Sequence, residues 1–121
     1  MHICLDIDDT ITYAPEFFAS LCDCFSEAAI TIVTFRFDRE STEKYLQSVN
    51  VRYDRLIVSS DETYGKQTGQ SLHQWKADLV NQLKPDLFFE DMPEVVSLID
   101  PAIKVFMPCD EVIRGWIHSA L

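Results

Sequence analysis

The chain alternates short β-branched or apolar runs with helical stripes from one end to the other, and that order leaves few folds open. The runs are Ile3-Cys4-Leu5, residues 29 to 34, Leu56-Ile57-Val58, Leu87-Phe88-Phe89 and the stretch holding Ile103, Val105 and Phe106. Between them, Phe17, Phe18, Leu21, Cys22 and Phe25 recur at helical spacing behind Pro15. Thr42, Tyr45, Leu46 and Val49 do so behind a candidate N-cap at Asp38. Ser71 caps a third stripe of Leu72, Trp75, Leu79 and Leu83, which Pro85 closes. A short helix through Val95, Val96 and Ile99 and a last one with Val112, Ile113, Trp116 and Ile117 complete the series. The expectation is an α/β fold: a three-layer α/β/α sandwich, Rossmann-like, around a five-stranded parallel sheet with right-handed crossovers. Such sheets bind ligands at the carboxyl ends of their strands.

The residues at those ends carry oxygen chemistry. They are Asp6, Asp8 and Thr10 after the first run, Thr34 after the second, Ser59 and Ser60 after the third, and Glu90 with Asp91 after the fourth. Asp6 and Asp8 are two apart, so continued extended backbone would point both carboxylates to one side. Like charges so placed call for a cation, and an all-oxygen donor set suits Mg²⁺.

At 121 residues the chain is read as one domain, 1–121, able to bury about two-thirds of its unfolded surface. Its 20 Asp and Glu against 10 Lys and Arg give a net charge of -10, which disfavours non-specific nucleic-acid binding. Cys4, Cys22, Cys24 and Cys109 lack the spacing of a disulfide framework or a zinc site, with Cys22 expected in packing and Cys24 on the surface. No apolar stretch approaches the length of a membrane span, and a cytoplasmic protein is expected. Trp75 and Trp116 are core by their stripes, and His2, His73 and His118 show no partner pattern. The polar stretch Ser59 to Gln70 is the longest irregular segment, with Tyr64 and Lys66 as candidate substrate contacts.

Taken in order, Asp6-Ile7-Asp8-Asp9-Thr10, Ile32-Val33-Thr34, Lys76 and Phe88-Phe89-Glu90-Asp91 resemble the four motifs of the haloacid dehalogenase-like (HAD) superfamily of phosphohydrolases, across nearly the whole chain. The resemblance implies Mg²⁺-dependent cleavage of a phosphate monoester. Asp6 would be the nucleophile that forms an aspartyl-phosphate, and Asp8 the acid for the leaving group and then the base for water. Mg²⁺ would be held by the carboxylates of Asp6 and Asp91 and the backbone carbonyl of Asp8, with Glu90 supporting that shell. Thr34, the amide of Phe35 and Lys76 would hold the phosphoryl oxygens. Thr10 would position the Asp6 to Asp8 loop, and Arg36 would either contact the leaving group or a second substrate charge or form a surface salt bridge.

Most members of that superfamily carry a cap domain between the first and second or the second and third motifs, and neither interval has room for one here. Water exclusion would then fall to the substrate, to a partner subunit of a homo-oligomer, or to the Ser59 to Gln70 loop. A small phosphomonoester such as a nucleotide or sugar phosphate and a macromolecular phosphoester both remain open. Phe89-Glu90-Asp91-Met92-Pro93-Glu94 resembles the nucleotidases of the superfamily. A response-regulator receiver shares the length and the alternation, but its acceptor aspartate follows the third strand, where this chain has serines. A third reading keeps the fold and the metal site as a catalytically weak binding or scaffold domain.

Overall fold

The computed structural model describes residues 1–108 and 111–120, apart from the side chains of residues 111–113, 116 and 117. The expectations for Cys109, for Trp116 and for the apolar face of the last helix lie outside the described residues. Strands β1 (His2–Leu5), β2 (Ala29–Val33), β3 (Arg55–Ile57), β4 (Leu87–Phe89) and β5 (Lys104–Phe106) form one sheet in the order β3-β2-β1-β4-β5. Every pairing is parallel. Helices α1 (Pro15–Cys24), α2 (Arg39–Ser48), α3 (Leu72–Leu83), α4 (Pro93–Val96) and α5 (Glu111–Ala120) connect or follow the strands.

Side-chain alternation along the strands divides the core into two layers. Ile3, Leu5, Ile30, Ile32 and Leu56 pack with Phe18 and Cys22 of α1 and Leu46 of α2. On the other face Cys4, Val33, Ile57 and Phe88 pack with Trp75, Leu79 and Val80 of α3 and Val95 of α4. Trp75 and Cys22 are therefore core, and Cys24 is exposed, as the stripes predict. The helix starts follow their caps: Asp38 accepts from the Ser41 amide at 2.8 Å, and Ser71 from the Gln74 amide at 3.1 Å.

Crossing from the middle of the sheet out to β3 and back to β4 puts α1 and α3 on opposite faces. A crevice therefore opens between the carboxyl ends of β1 and β4. Leu5 stands between Ile32 and Phe89 in register, so Asp6 and Glu90 leave neighbouring strands at the same level. Both continue the parity of Cys4 and Phe88, which faces α3.

Candidate active site

Asp6 is the last extended residue of its segment, with φ -84° and ψ 159°. The expectation that Asp6 and Asp8 lie side by side fails at the next step, because the chain turns at once into a wide turn, Ile7–Ile11, closed by the Thr12 amide on the Ile7 carbonyl. Asp9 takes φ 62°, a left-handed conformation that aspartate tolerates better than most residues. The turn is held from inside: Ile7, Thr10 and Ile11 are buried, and the Thr10 hydroxyl donates to Asp6 Oδ2 at 2.9 Å. Thr10 thus ties the turn to Asp6.

Lys76 lies on the face of α3 that meets the sheet. Its Nζ donates to Asp6 Oδ1 at 2.6 Å and to Glu90 Oε1 at 3.1 Å, and it sits 4.2 Å from the centre of the Phe35 ring. Lys76 and Glu90 are 0% exposed and Asp6 is 4% exposed. Burial works against the Lys76 ammonium, but the two carboxylates outweigh it and hold its pKa above the ordinary value. Its hydrogen bonds run to these two carboxylates, and its remaining side meets an aromatic face. Phe35, expected to serve through its amide, contributes this ring as well, and His73 stands 5.7 Å from it.

Glu90 has both oxygens engaged, Oε1 by Lys76 and Oε2 by the amides of Asp91 at 3.0 Å and Met92 at 3.2 Å. It supports the centre and is poorly placed to ligate a metal itself. Burial pushes its pKa up against the pull of Lys76. Carboxylate oxygens of Asp6, Glu90 and Asp91 lie within 4.8 Å of one another. This set fits a hard divalent cation, with Asp6 and Asp91 as the open donors. Burial, together with hydrogen bonding to Asp6 and Glu90, pushes the Asp91 carboxyl up to about 9 in the metal-free protein.

A raised carboxyl pKa has a defined effect on folding. Between the unfolded value of about 4 and about 9 the folded chain keeps a proton that the unfolded chain has released, so stability falls as pH rises through that window. Urea midpoints in EDTA are expected to drop steadily from about pH 5 to about pH 9, with Mg²⁺ restoring most of the loss at the alkaline end. Asp91→Asn should flatten both effects. An unchanged slope in that variant would place the proton elsewhere.

Asp8 stands outside the Asp6, Glu90 and Asp91 group. Its side chain is 57% exposed and is gripped by Arg36, with Nη2 at 2.8 Å from Oδ1 and Nε at 3.1 Å from Oδ2. Of the two readings of Arg36 the structure shows the surface salt bridge, with the candidate acid, and the guanidinium is stacked on Tyr45, 4.8 Å from the ring centre. That hydrogen bond to Asp8 is the chief reason its pKa is raised. Thr34 is buried and its hydroxyl accepts the Arg36 amide at 3.1 Å, so it braces the turn that carries Arg36. Tyr45 reads in the sequence as one more residue of an apolar stripe. Nothing in its spacing signals the contact.

Tyr64 and Lys66 are not brought to this centre. The Tyr64 ring lies 5.7 Å from the Arg55 guanidinium at the outer strand β3, and Lys66 Nζ turns to the Gln67 carbonyl. Their loop is tied down in several places: Trp75 Nε1 donates to the Tyr64 carbonyl at 2.8 Å, Arg39 pairs with Asp61 at 2.9 Å, and the Lys66 amide returns to Ser59. Gly65 is needed there, since a Cβ would stand 2.1 Å from the Asp61 carbonyl oxygen. The Ser59 amide also donates to the Arg36 carbonyl and the Ser60 hydroxyl to that of Phe37. The segment is a buttress for the rim and not a free lid.

The sequence matches no protein-family model and no curated protein. Two solved structures share the architecture. "Structure of the Pnkp1/Rnl/Hen1 RNA repair complex" aligns at TM-score 0.67 and 16% identity over 88% of this chain and 42% of that one. "Structure of Pnkp1/Rnl/Hen1 complex" aligns at TM-score 0.68 and 16% identity, covering 88% of this chain and 45% of the other. This chain therefore spans less than half the length of the chains it matches. At such identity the likeness is one of fold. The α/β sandwich with an all-parallel five-stranded sheet is shared ground.

Proposed function

We propose that the chain is a Mg²⁺-dependent phosphohydrolase of the haloacid dehalogenase-like type, without a cap domain, that cleaves a phosphate monoester through an aspartyl-phosphate on Asp6. The observation that carries the reading is the fully buried Lys76 bridging Asp6 and Glu90 beside Asp91. A surface carboxylate needs no such partner; one held by a buried ammonium at a strand end is suited to nucleophilic attack.

In the reaction an Asp6 oxygen bonds to phosphorus as the ester oxygen departs, and Asp8 gives that oxygen its proton. Water then attacks the phosphoryl group, loses a proton to Asp8, and frees Asp6 and inorganic phosphate. Mg²⁺, held by Asp6 and Asp91, would screen the repulsion between these carboxylates and an anionic substrate. Lys76 and Thr10 hold Asp6 in place throughout, and Glu90 holds Lys76.

The substrate class we favour is a small phosphorylated molecule, a nucleotide or a sugar phosphate. The net charge of -10 weighs against long nucleic acids, even though one of the two structures of like fold is that of an RNA repair complex. A homo-oligomer could close the open site. Among the described residues no helix is long and apolar enough to cross a membrane, and Cys4, Cys22 and Cys24 are free thiols, which suits a cytoplasmic setting. One observation favours a binding role instead: Arg36 engages both oxygens of Asp8.

Phosphate release from nucleoside monophosphates, sugar phosphates, phosphopeptides and p-nitrophenyl phosphate decides between them. Release that requires Mg²⁺ and stops with EDTA is expected, weakly for the aryl ester and more strongly for one alkyl class. No release from any of them with Mg²⁺ present would favour the binding module.

A further inference from the structure

We propose that Phe35 is a positioning residue for the nucleophile: its ring closes the side of the Lys76 ammonium that the two carboxylates leave open. The inference rests on the phosphohydrolase reading and gives a side-chain role to a residue whose amide alone that reading uses.

The ring is held through the chain and through its packing. The Thr34 amide donates to the Ile57 carbonyl at 3.1 Å and the Arg36 carbonyl accepts from the Ser59 amide at 2.9 Å, so both neighbours of Phe35 are tied to the end of β3. The ring itself packs against the core layer that holds Trp75, Ala77 and Val80 of α3, with the His73 ring 5.7 Å away and inclined at 57°. It is a fixed wall.

Lys76 Nζ lies 4.2 Å from the centre of that wall, within the reach of a cation-π contact, and the residue is 0% exposed. An ammonium carries three protons, of which Asp6 takes one at 2.6 Å and Glu90 one at 3.1 Å. The choice of residue on the remaining side matters. A hydroxyl there would compete for the ammonium and draw it off Asp6, and an aliphatic chain would offer the charge nothing. An aromatic face keeps the bridge dry and still attracts the cation, most strongly where water is excluded. A less firmly seated Nζ would let Asp6 wander from the line of attack on phosphorus. The Phe35 amide would stay in place, so binding of the phosphoryl group would not change.

Replacing Phe35 by di- and trifluorinated phenylalanines drains the negative face of the ring with little change in its shape. With Mg²⁺ present, kcat/KM for p-nitrophenyl phosphate reports the attack by Asp6 on an ester whose leaving group needs no proton. It is expected to fall in step with fluorination, by about tenfold for the trifluorinated ring. Inhibition by inorganic phosphate should stay within about twofold across the series, because it reads the binding of the phosphoryl group and not the attack. Urea midpoints in EDTA should fall in the same order. In a Lys76→Met background that order should vanish, since a ring that only packs does not depend on its quadrupole.

A kcat/KM indifferent to fluorination beside an active parent, or midpoints that follow it equally with Lys76→Met, would overturn the role of the ring and leave the phosphohydrolase reading standing. A parent chain inactive on every ester with Mg²⁺ present would overturn the two together.

Discussion

Replacing Lys76 by methionine is expected to lower stability by about 3 to 5 kcal/mol, measured by urea unfolding in EDTA near neutral pH. Methionine fits the space, so the loss comes from charge. Asp6 and Glu90 would be left in a dry pocket with Asp91 beside them and no internal cation. Glu90 keeps its two amide donors, while Asp6 keeps the Thr10 hydroxyl and its hydrogen bond with Asp91. Mg²⁺ should therefore stabilise the variant more than the parent, the reverse of what a damaged metal site would show. A loss below about 1 kcal/mol would mean that the pair barely offsets its own desolvation and that the residue is held for reactivity alone.

Asp6→Asn is expected to reduce phosphate release by at least about 10³-fold while the protein still folds. With its carbonyl oxygen toward Lys76, asparagine accepts that bond while its NH2 donates to the Thr10 hydroxyl, so the turn and the bridge persist. An amide is a poor nucleophile and binds a hard cation weakly. Acid quenching of the parent during turnover should leave phosphate on the peptide that holds residue 6, and the variant should show none. Labelled phosphate found on another residue would move the nucleophile.

Much of this centre is legible in the linear sequence because it sits where local signals are strong. Leu87–Phe89 is bounded by Pro85 and by two acids, so its limits are sharp. Asp38 and Ser71 begin their helices as capping residues should. Lys76, one residue beyond Trp75 on the stripe of α3, falls opposite Asp6 once the strand order is known. What the sequence hides is long-range or conformational. Two-residue alternation cannot foresee that the chain leaves the extended conformation directly after Asp6, so it misplaces Asp8 beside Asp6. Arg36 finds its acid across 28 residues, and Tyr64 is drawn to the outer strand by Trp75 and Arg55, contacts that leave no mark in spacing.

Because Asp6 and Glu90 issue from adjacent, hydrogen-bonded strands, the gap between them is set by the pitch of the sheet, about 4.8 Å, and not by any connecting segment. A change of length in the segment beyond Thr10 would leave that spacing as it is, because paired strands and not loops hold the two carboxylates apart.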